Sequence, residues 1–291
     1  HADHCRAAKD VIAAGININV TLIFALDRYA AVMDAYLAGL EDRIAQNLPI
    51  NQIASVASFF VSRVDTKIDP RLPEDSPLRG RAAIANAKFA YDAFESIFTS
   101  PRFATIKARF RARAQRPLWA STGTKNPAYS DTLYVDALIG PDTVNTVPPA
   151  TLDAFRDHGN AALTITRGLE EAQLFFAELK AQGISMSTVT KELEEEGVKS
   201  FADAFTSLLG VVEERRKNAV SSLGSFGAAQ DRPLADSVSE RLSQLEMDSV
   251  PARLWEHDPT LWTEDAAGQA EVKIRLGWLD SIEDARTRLD G

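Results

Sequence analysis

Four short stretches of the sequence bring together side chains that could do chemistry. In the first, Asn17, Asn19 and Thr21 alternate with Ile16, Ile18, Val20, Leu22 and Phe24. The second offers Ser58 and Phe60 followed by Arg63, and the third Ser121, Thr122, Thr124, Lys125 and Asn126. The fourth offers Asn145 and Thr146. Arg63 and Lys125 are cations beside loops. A guanidinium grips phosphate through paired hydrogen bonds, and an ammonium supplies a point charge. Strand-end cations are also commonly no more than solvated. Lys125, in the run TGTKNP (122–127), has a second use. A lysine in a dry barrel mouth can lose its proton and attack a carbonyl as a Schiff-base nucleophile, but sequence alone does not establish dryness. The polar face of 17–21 has two readings. Either it lines a lumen and meets a polar ligand, or it is satisfied internally or by water.

Regular elements must hold these groups. Residues 6–14 read as the end of a helix stopped by Gly15. The alternation over 16–24 has period two and predicts a strand. A helix follows from about Asp27, with Tyr29, Met33, Tyr36, Leu37 and Leu40 on one face. A second strand is expected over 54–61. Next comes a loop carrying Asp69, Pro70, Pro73 and Pro77. Ile84, Ala87, Tyr91, Phe94 and Phe98 mark a helix over 79–99, ended by Pro101. Short strands are predicted at 117–121 and at 142–147, the latter closed by Pro148 and Pro149. The rest reads as helical, with apolar positions at Leu163, Leu169, Leu174, Phe176 and Leu179, then Phe201, Phe205, Leu208, Leu209 and Val212, then Leu234, Val238, Leu242 and Leu245. Strands alternating with helices give an α/β chain with a parallel sheet. A seam is expected at 231–233, dividing 1–230 from 231–291.

Composition narrows the class. The chain has 291 residues, 45% hydrophobic and 25% charged, as globular proteins do. A formal net charge of −9 speaks against nucleic acid or an anionic membrane as partner, since phosphate backbones demand clustered Lys and Arg. A small phosphorylated ligand needs only one or two local cations. The lone Cys5 forms no internal disulfide, which fits a reducing cytoplasm. His1, His4 and Cys5 lack the spacing of a metal site, so no metal is expected. Neither a membrane span nor a signal peptide is evident. Acidic runs such as 192–196 read as solvated helix face. Trp255, Trp262 and Trp278, with Leu254, Leu261 and Leu276, read as a packed aromatic cluster, core or interface.

Several of these runs resemble the transaldolase family. GININVTLIF (15–24) with DRYAAVMDAYLAGLE (27–41) is similar to the family's fifth barrel strand and helix, and ASFFVSRVD (57–65) to its sixth strand. The run RPLWASTGTKNPAYSDTLYVDALIGPDTVNTVPPATLDAFRDHG (116–159) resembles the seventh and eighth strands of the longer, actinobacterial and cyanobacterial type. KELEEEGVKSFADAFTSLLGVVEERRK (191–217) resembles its last helix. The resemblance covers about residues 6–220. It implies a (β/α)8 TIM barrel of the class I aldolase type, here its second half plus C-terminal helices. It also implies transfer of a dihydroxyacetone unit between ketose and aldose phosphates in the pentose phosphate pathway, without metal or organic cofactor. The partners it implies are sugar phosphates.

The resemblance assigns roles residue by residue. Asn19 matches the asparagine that contacts the covalent intermediate, and Thr21 the threonine that positions the catalytic water. Ser58 matches the serine that bonds substrate hydroxyls, Phe60 an aromatic wall, and Arg63 a phosphate-binding arginine. Lys125 falls near a second phosphate-binding arginine, where the local match carries an insertion. The family's Schiff-base lysine is expected before His1, and its catalytic aspartate and glutamate earlier still, so the chain reads as N-terminally truncated. RLWEHDPTLW (253–262) and RLGWLDSIEDARTRLDG (275–291) resemble the linker of transaldolase–glucose-6-phosphate isomerase fusions. A homodimer or a fused isomerase domain is expected as partner. The alternatives are a catalytically inactive fragment and a different Schiff-base aldolase that uses Lys125.

Overall fold

A computed structural model describes residues 2–228 and 234–275. Contacts divide the chain into two compact units, His1–Thr206 and Ser207–Gly291. The expected seam at 231–233, and the stretch 276–291 with Leu276 and Trp278, lie outside the described residues, as does His1.

The first unit opens with α1 (Ala2–Ala13), then β1 (Ile18–Ile23), α2 (Leu26–Ala45) and β2 (Ser55–Phe60). There follow α3 (Ser62–Ile68), a 3-10 turn (Asp69–Arg71), α4 (Ala82–Phe98) and α5 (Pro101–Phe110). Next come β3 (Arg116–Ala120), α6 (Leu133–Ala137), β4 (Val144–Asn145), α7 (Pro149–His158), α8 (Leu169–Ala181) and α9 (Met186–Ala228), which continues into the second unit. The four strands form one parallel sheet in the order β1-β2-β3-β4. Consecutive parallel strands joined through helices are the arrangement of half a (β/α)8 barrel.

Alternation along the strands decides what each side meets. Ala57, Phe59 and Trp119 are buried on the side that faces the helices, where Phe59 meets Trp119 edge-on at 6.2 Å and Tyr29 of α2 at 5.6 Å. The Trp119 indole donates to the Leu138 carbonyl at 3.1 Å, so its one polar atom is satisfied. α4 brings small residues (Ala82, Ala83, Ala87, Ala90) that let it approach closely, then Tyr91, Phe94 and Phe98 to fill space. Full burial of one such large side chain is worth about 1.5–3 kcal/mol.

The structure departs from the sequence reading at five places. Pro101 does not merely end α4. Ser100 caps the next helix by accepting from the Phe103 amide, and Pro101 takes its first position. Pro149 likewise opens α7 rather than only closing a strand. The stretch after β2 is not all loop, since α3 starts directly at Ser62. The strand expected over 142–147 is only two residues long. Leu163 precedes α8 and is exposed.

Arg43, which the sequence reading passed over, braces the entry to β1. It is buried, and its guanidinium donates to the Ala13 carbonyl at 3.0 Å and to Pro49 at 3.1 and 3.0 Å. Those bonds satisfy a carbonyl at the end of α1 and hold the turn through Gly15, where φ is +90°. α1 lies tight on α2 at Gly39, where a Cβ would come within 2.7 Å of Ile12 Cγ2 and 2.8 Å of the Lys9 carbonyl oxygen.

In the second unit, α10 (Leu234–Met247), α11 (Val250–Trp255), a 3-10 turn (Pro259–Leu261) and α12 (Ala266–Arg275) follow the end of α9. Arg253 donates to Asp258 at 2.7 Å, and Asp258 accepts from the Thr260 amide at 2.9 Å. Of the aromatic cluster expected as core or interface, Trp255 is 64% and Trp262 51% exposed, so neither is buried in a core among the described residues, while Trp278 lies outside them. Among the described residues no helix is long and apolar enough to cross a membrane.

Gly39→Ala tests the α1–α2 contact. Alanine favours a helix over glycine by about 1 kcal/mol, yet overpacking against a backbone carbonyl costs about 1–3 kcal/mol. Urea unfolding is expected to show a net loss of stability; a gain would mean that the helices are free to separate.

Candidate functional site

Strands of one direction all end at one edge, and Thr21, Phe60, Arg63 and Lys125 stand at or just beyond it, with Asn19 and Ser58 lower on their strands; Asn17 precedes β1 at the opposite edge, where it accepts from the Ala54 amide at 2.8 Å. On β1, Asn19 and Thr21 are exposed on the side away from α2. They line a groove of about 370 Å³ with Cys5, Leu22, Arg28 and Glu194. Pairing sets Asn19 opposite Val56, which puts Ser58 on the same side one step further along. The buried Ser58 hydroxyl accordingly donates to Asn19 Oδ1 at 2.7 Å. That bond fixes the amide and leaves its Nδ2 hydrogens for another acceptor. The register slips between Val20 and Ile23, and Leu22 adopts φ of 60°. A bulge of this kind re-aims side chains at a sheet edge, here directly after Thr21.

Phe60 ends β2. It is buried, its ring 5.2 Å from Phe24. The Arg63 guanidinium sits over the same ring, 5.0 Å from its centroid, which orients a side chain that would otherwise wander. Arg63 and Lys125, from the ends of different strands, line one cavity of about 310 Å³ with Thr66, Lys67, Leu193, Glu196 and Ser200. Glu196 is the carboxylate of that cavity, and Lys67 pairs with it. Lys67 also reaches Glu192 at 3.4 Å, and Arg71 meets Glu192 at 2.5 Å. Among the described residues neither Arg63 nor Lys125 is salt-bridged to a carboxylate. The cavity therefore offers two uncompensated cations, as an anion site requires.

The structure thus brings together Asn19 with Ser58, Phe60 with Arg63, and Arg63 with Lys125. Thr21 shares the β1 groove with Asn19. The Asn145 side chain is used internally, accepting from Thr122 Oγ1 at 2.7 Å. Lys125 is exposed; the dry setting that a Schiff-base lysine needs is not provided. No residue of β1, β2, β3 or β4 is a lysine. Lys9 lies on α1 and pairs with Asp42 at 2.8 Å. Among the described residues no cluster of His, Cys, Asp and Glu could hold a metal ion, and Cys5 is free. A larger cavity, about 460 Å³, is lined by Leu26, Asn86, Phe176, Lys180 and 183–187. It holds none of the predicted residues.

Sequence reading missed two buried carboxylates beside Arg63. Asp65 accepts from the Ala83 amide at 2.8 Å and from the Tyr134 hydroxyl at 2.9 Å. Asp69 accepts from the Gly80 amide at 3.0 Å and from the Tyr129 hydroxyl at 2.7 Å. Burial pushes the Asp65 carboxyl up to about 7, against its hydrogen bonds from Ala83 and Tyr134, and the nearby Asp69 adds to the rise. The available signal was the four-residue spacing of Asp65 and Asp69 directly after a strand.

Comparison with known proteins places these features. The family description "Transaldolase/Fructose-6-phosphate aldolase" matches residues 2–212. A transaldolase of a Parafrankia species is 52% identical over 221 residues, 74% of this chain and 60% of that protein. Transaldolase 1 of Streptomyces coelicolor is 54% identical over 212 residues, 71% of this chain and 55% of that protein. A transaldolase of Mycolicibacterium smegmatis is 51% identical over 213 residues, 71% and 57% of the two chains. The chain thus spans 55–60% of the length of these relatives.

The raised Asp65 pKa predicts a pH effect with a definite sign. The folded-state value lies above the unfolded one of about 3.9. Its stabilising contribution is therefore complete below the unfolded value and is lost as pH rises through about 7. The thermal midpoint is expected to fall between pH 5 and pH 8, and to fall less in Asp65→Asn. His158, raised by its bonds to Asp131 and Asp157, acts in the same direction, so the difference between wild type and variant isolates Asp65. Equal slopes in the two proteins would rule out Asp65 as the titrating group.

Proposed function

The chain belongs to the transaldolase/fructose-6-phosphate aldolase family, and we propose that it supplies the second half of a transaldolase barrel and the wall that holds a sugar phosphate. The reaction is transfer of a dihydroxyacetone unit from sedoheptulose 7-phosphate to glyceraldehyde 3-phosphate, giving erythrose 4-phosphate and fructose 6-phosphate. In this reading Arg63 and Lys125 hold the phosphate end. Ser58 and Asn19 bond the hydroxyls near the ketose carbonyl, Phe60 walls the pocket, and Thr21 orients the water that moves protons. The nucleophile is a lysine of the barrel's other half, outside these 291 residues. Its iminium acts as the electron sink for cleavage of the carbon–carbon bond.

The observation that carries this reading is the shared cavity of Arg63 and Lys125. Two cations from separate strand ends converge there without a carboxylate partner among the described residues, while the one acid present, Glu196, is taken by Lys67. The remaining half of the barrel is the expected cover for the outer edge of β1 and its groove; a second copy of the chain is the other occupant. Residues 1–230 then form the barrel part and 231–291 an extension toward an isomerase domain. The exposure of Trp255 and Trp262 supports such a continuation. An enzyme of sugar-phosphate exchange belongs in the cytoplasm.

Calorimetric titration with fructose 6-phosphate tests the site. A charge-assisted hydrogen bond is worth about 1.5–3 kcal/mol. Arg63→Met and Lys125→Met are each expected to weaken binding about tenfold or more, with fructose itself unaffected. Equal affinity in wild type and variants would remove the phosphate assignment. Borohydride trapping separates the Lys125 alternative: a fructose 6-phosphate adduct on Lys125 would make Lys125 the nucleophile.

A further inference from the structure

The site leaves two buried carboxylates without a role. Asp65 is 1% and Asp69 6% exposed, and neither has a cation within salt-bridge distance among the described residues. Burying charge in that way is costly. A mere tie between a helix and a loop could be made by neutral groups.

The four residues that surround them have a consistent arrangement. Asp65 lies on α3 two residues after Arg63, and Asp69 opens the 3-10 turn that continues it. Tyr129 and Tyr134 lie downstream of Lys125, at the end of its loop and in α6. Each carboxylate spends one oxygen on the backbone before or at the start of α4, at Gly80 or Ala83, and the other on a tyrosine of the Lys125 segment. At Gly80, where φ is +72°, a Cβ would come within 2.8 Å of the Tyr129 ring; glycine is needed for the ring to reach Asp69. The loop's remaining bonds go to β4 and α7, where Thr122 donates to Asn145 Oδ1 at 2.7 Å and Asp131 meets His158 at 2.8 Å, or stay internal. Thr124 donates to the Ser130 carbonyl at 2.8 Å, and the Ala128 amide donates to Asn126 Oδ1 at 3.0 Å. These shape the loop without tying it to α3. At the strand end two bonds make such a tie, the Ser62–Ser121 hydroxyl pair at 2.9 Å and the Ser62 amide donating to the Ser121 carbonyl at 3.0 Å, both at the root of the loop, four residues before Lys125.

From this geometry we propose that the Asp69–Tyr129 and Asp65–Tyr134 pairs are positioning groups. They hold the Lys125 loop against the Arg63 helix, so that both cations meet one phosphate. The proposal rests on the phosphate reading given above. A lysine on a flexible stem is a poorly localised charge, and a loop that must be ordered on binding loses affinity to that ordering. Two carboxylate-anchored tyrosines remove much of the disorder before the ligand arrives. The anchors act through Lys125 and do not touch the ligand.

A double-mutant cycle tests this. Affinities for inorganic phosphate and for fructose 6-phosphate are measured on the full chain, as wild type, Tyr129→Phe, Lys125→Met and the double variant, with thermal midpoints alongside. Tyr129→Phe is expected to weaken phosphate binding about three- to tenfold when Lys125 is present and to have no further effect in Lys125→Met, as coupled sites behave. Asp69→Asn, which can still bond both Gly80 and Tyr129, is expected to retain most of the affinity. Tyr134→Phe provides the same cycle on the second pair should Tyr129→Phe unfold. A loss of equal size in both backgrounds would overturn the proposal, because the tyrosine would then act on stability and not through Lys125. Unchanged phosphate affinity in Lys125→Met alone, or no phosphate binding by the wild type, would overturn the phosphate reading and this proposal with it.

Discussion

The common direction of the strands is the constraint on which the rest depends. In a parallel sheet every strand delivers its carboxyl end to the same edge, so residues far apart in sequence meet there without any dedicated packing. Asn19 and Ser58 become hydrogen-bonded neighbours because β1 pairs with β2 in one register and not the next. A slip of one residue would turn Ser58 into the helix layer and Phe59 out of it. The burial of Phe59 against Trp119 and Tyr29 therefore sets the chemistry as well as the core.

That dependence explains what could be read from the sequence. The strand over 16–24 announced itself through alternation, and α2 and α4 through steps of three and four, because each signal lies within one element. The site residues of β1 and β2 were legible for the same reason, as polar positions in an otherwise apolar period. The family resemblance then gave them roles that spacing alone left open between ligand and water.

What stayed hidden was long-range. Arg43 reads as an ordinary helix arginine until the ends of α1 and of the 46–49 turn are folded against it. Asp65 reads only as the end of a strand-like run and Asp69 as a loop acid until Tyr134 and Tyr129 arrive from 69 and 60 residues away in sequence. Their hydrogen bonds decide their role, and no local pattern encodes a partner at that distance. Pro101 and Pro149 were misread for a simpler reason: proline stops a helix and also suits the first position of one, and only the Ser100 cap separates the two at Pro101.

The claim at the centre of this account is that the phosphate end of a sugar lies between Arg63 and Lys125. NMR titration of the full chain with inorganic phosphate, then with fructose 6-phosphate, addresses it most directly. The account predicts that phosphate shifts the Arg63 side-chain Nε–H and the Lys125 amide, and that the sugar phosphate adds shifts at Asn19 and Ser58. Shifts confined to the cavity lined by Leu26, Asn86 and Lys180, with Arg63 and Lys125 silent, would contradict it.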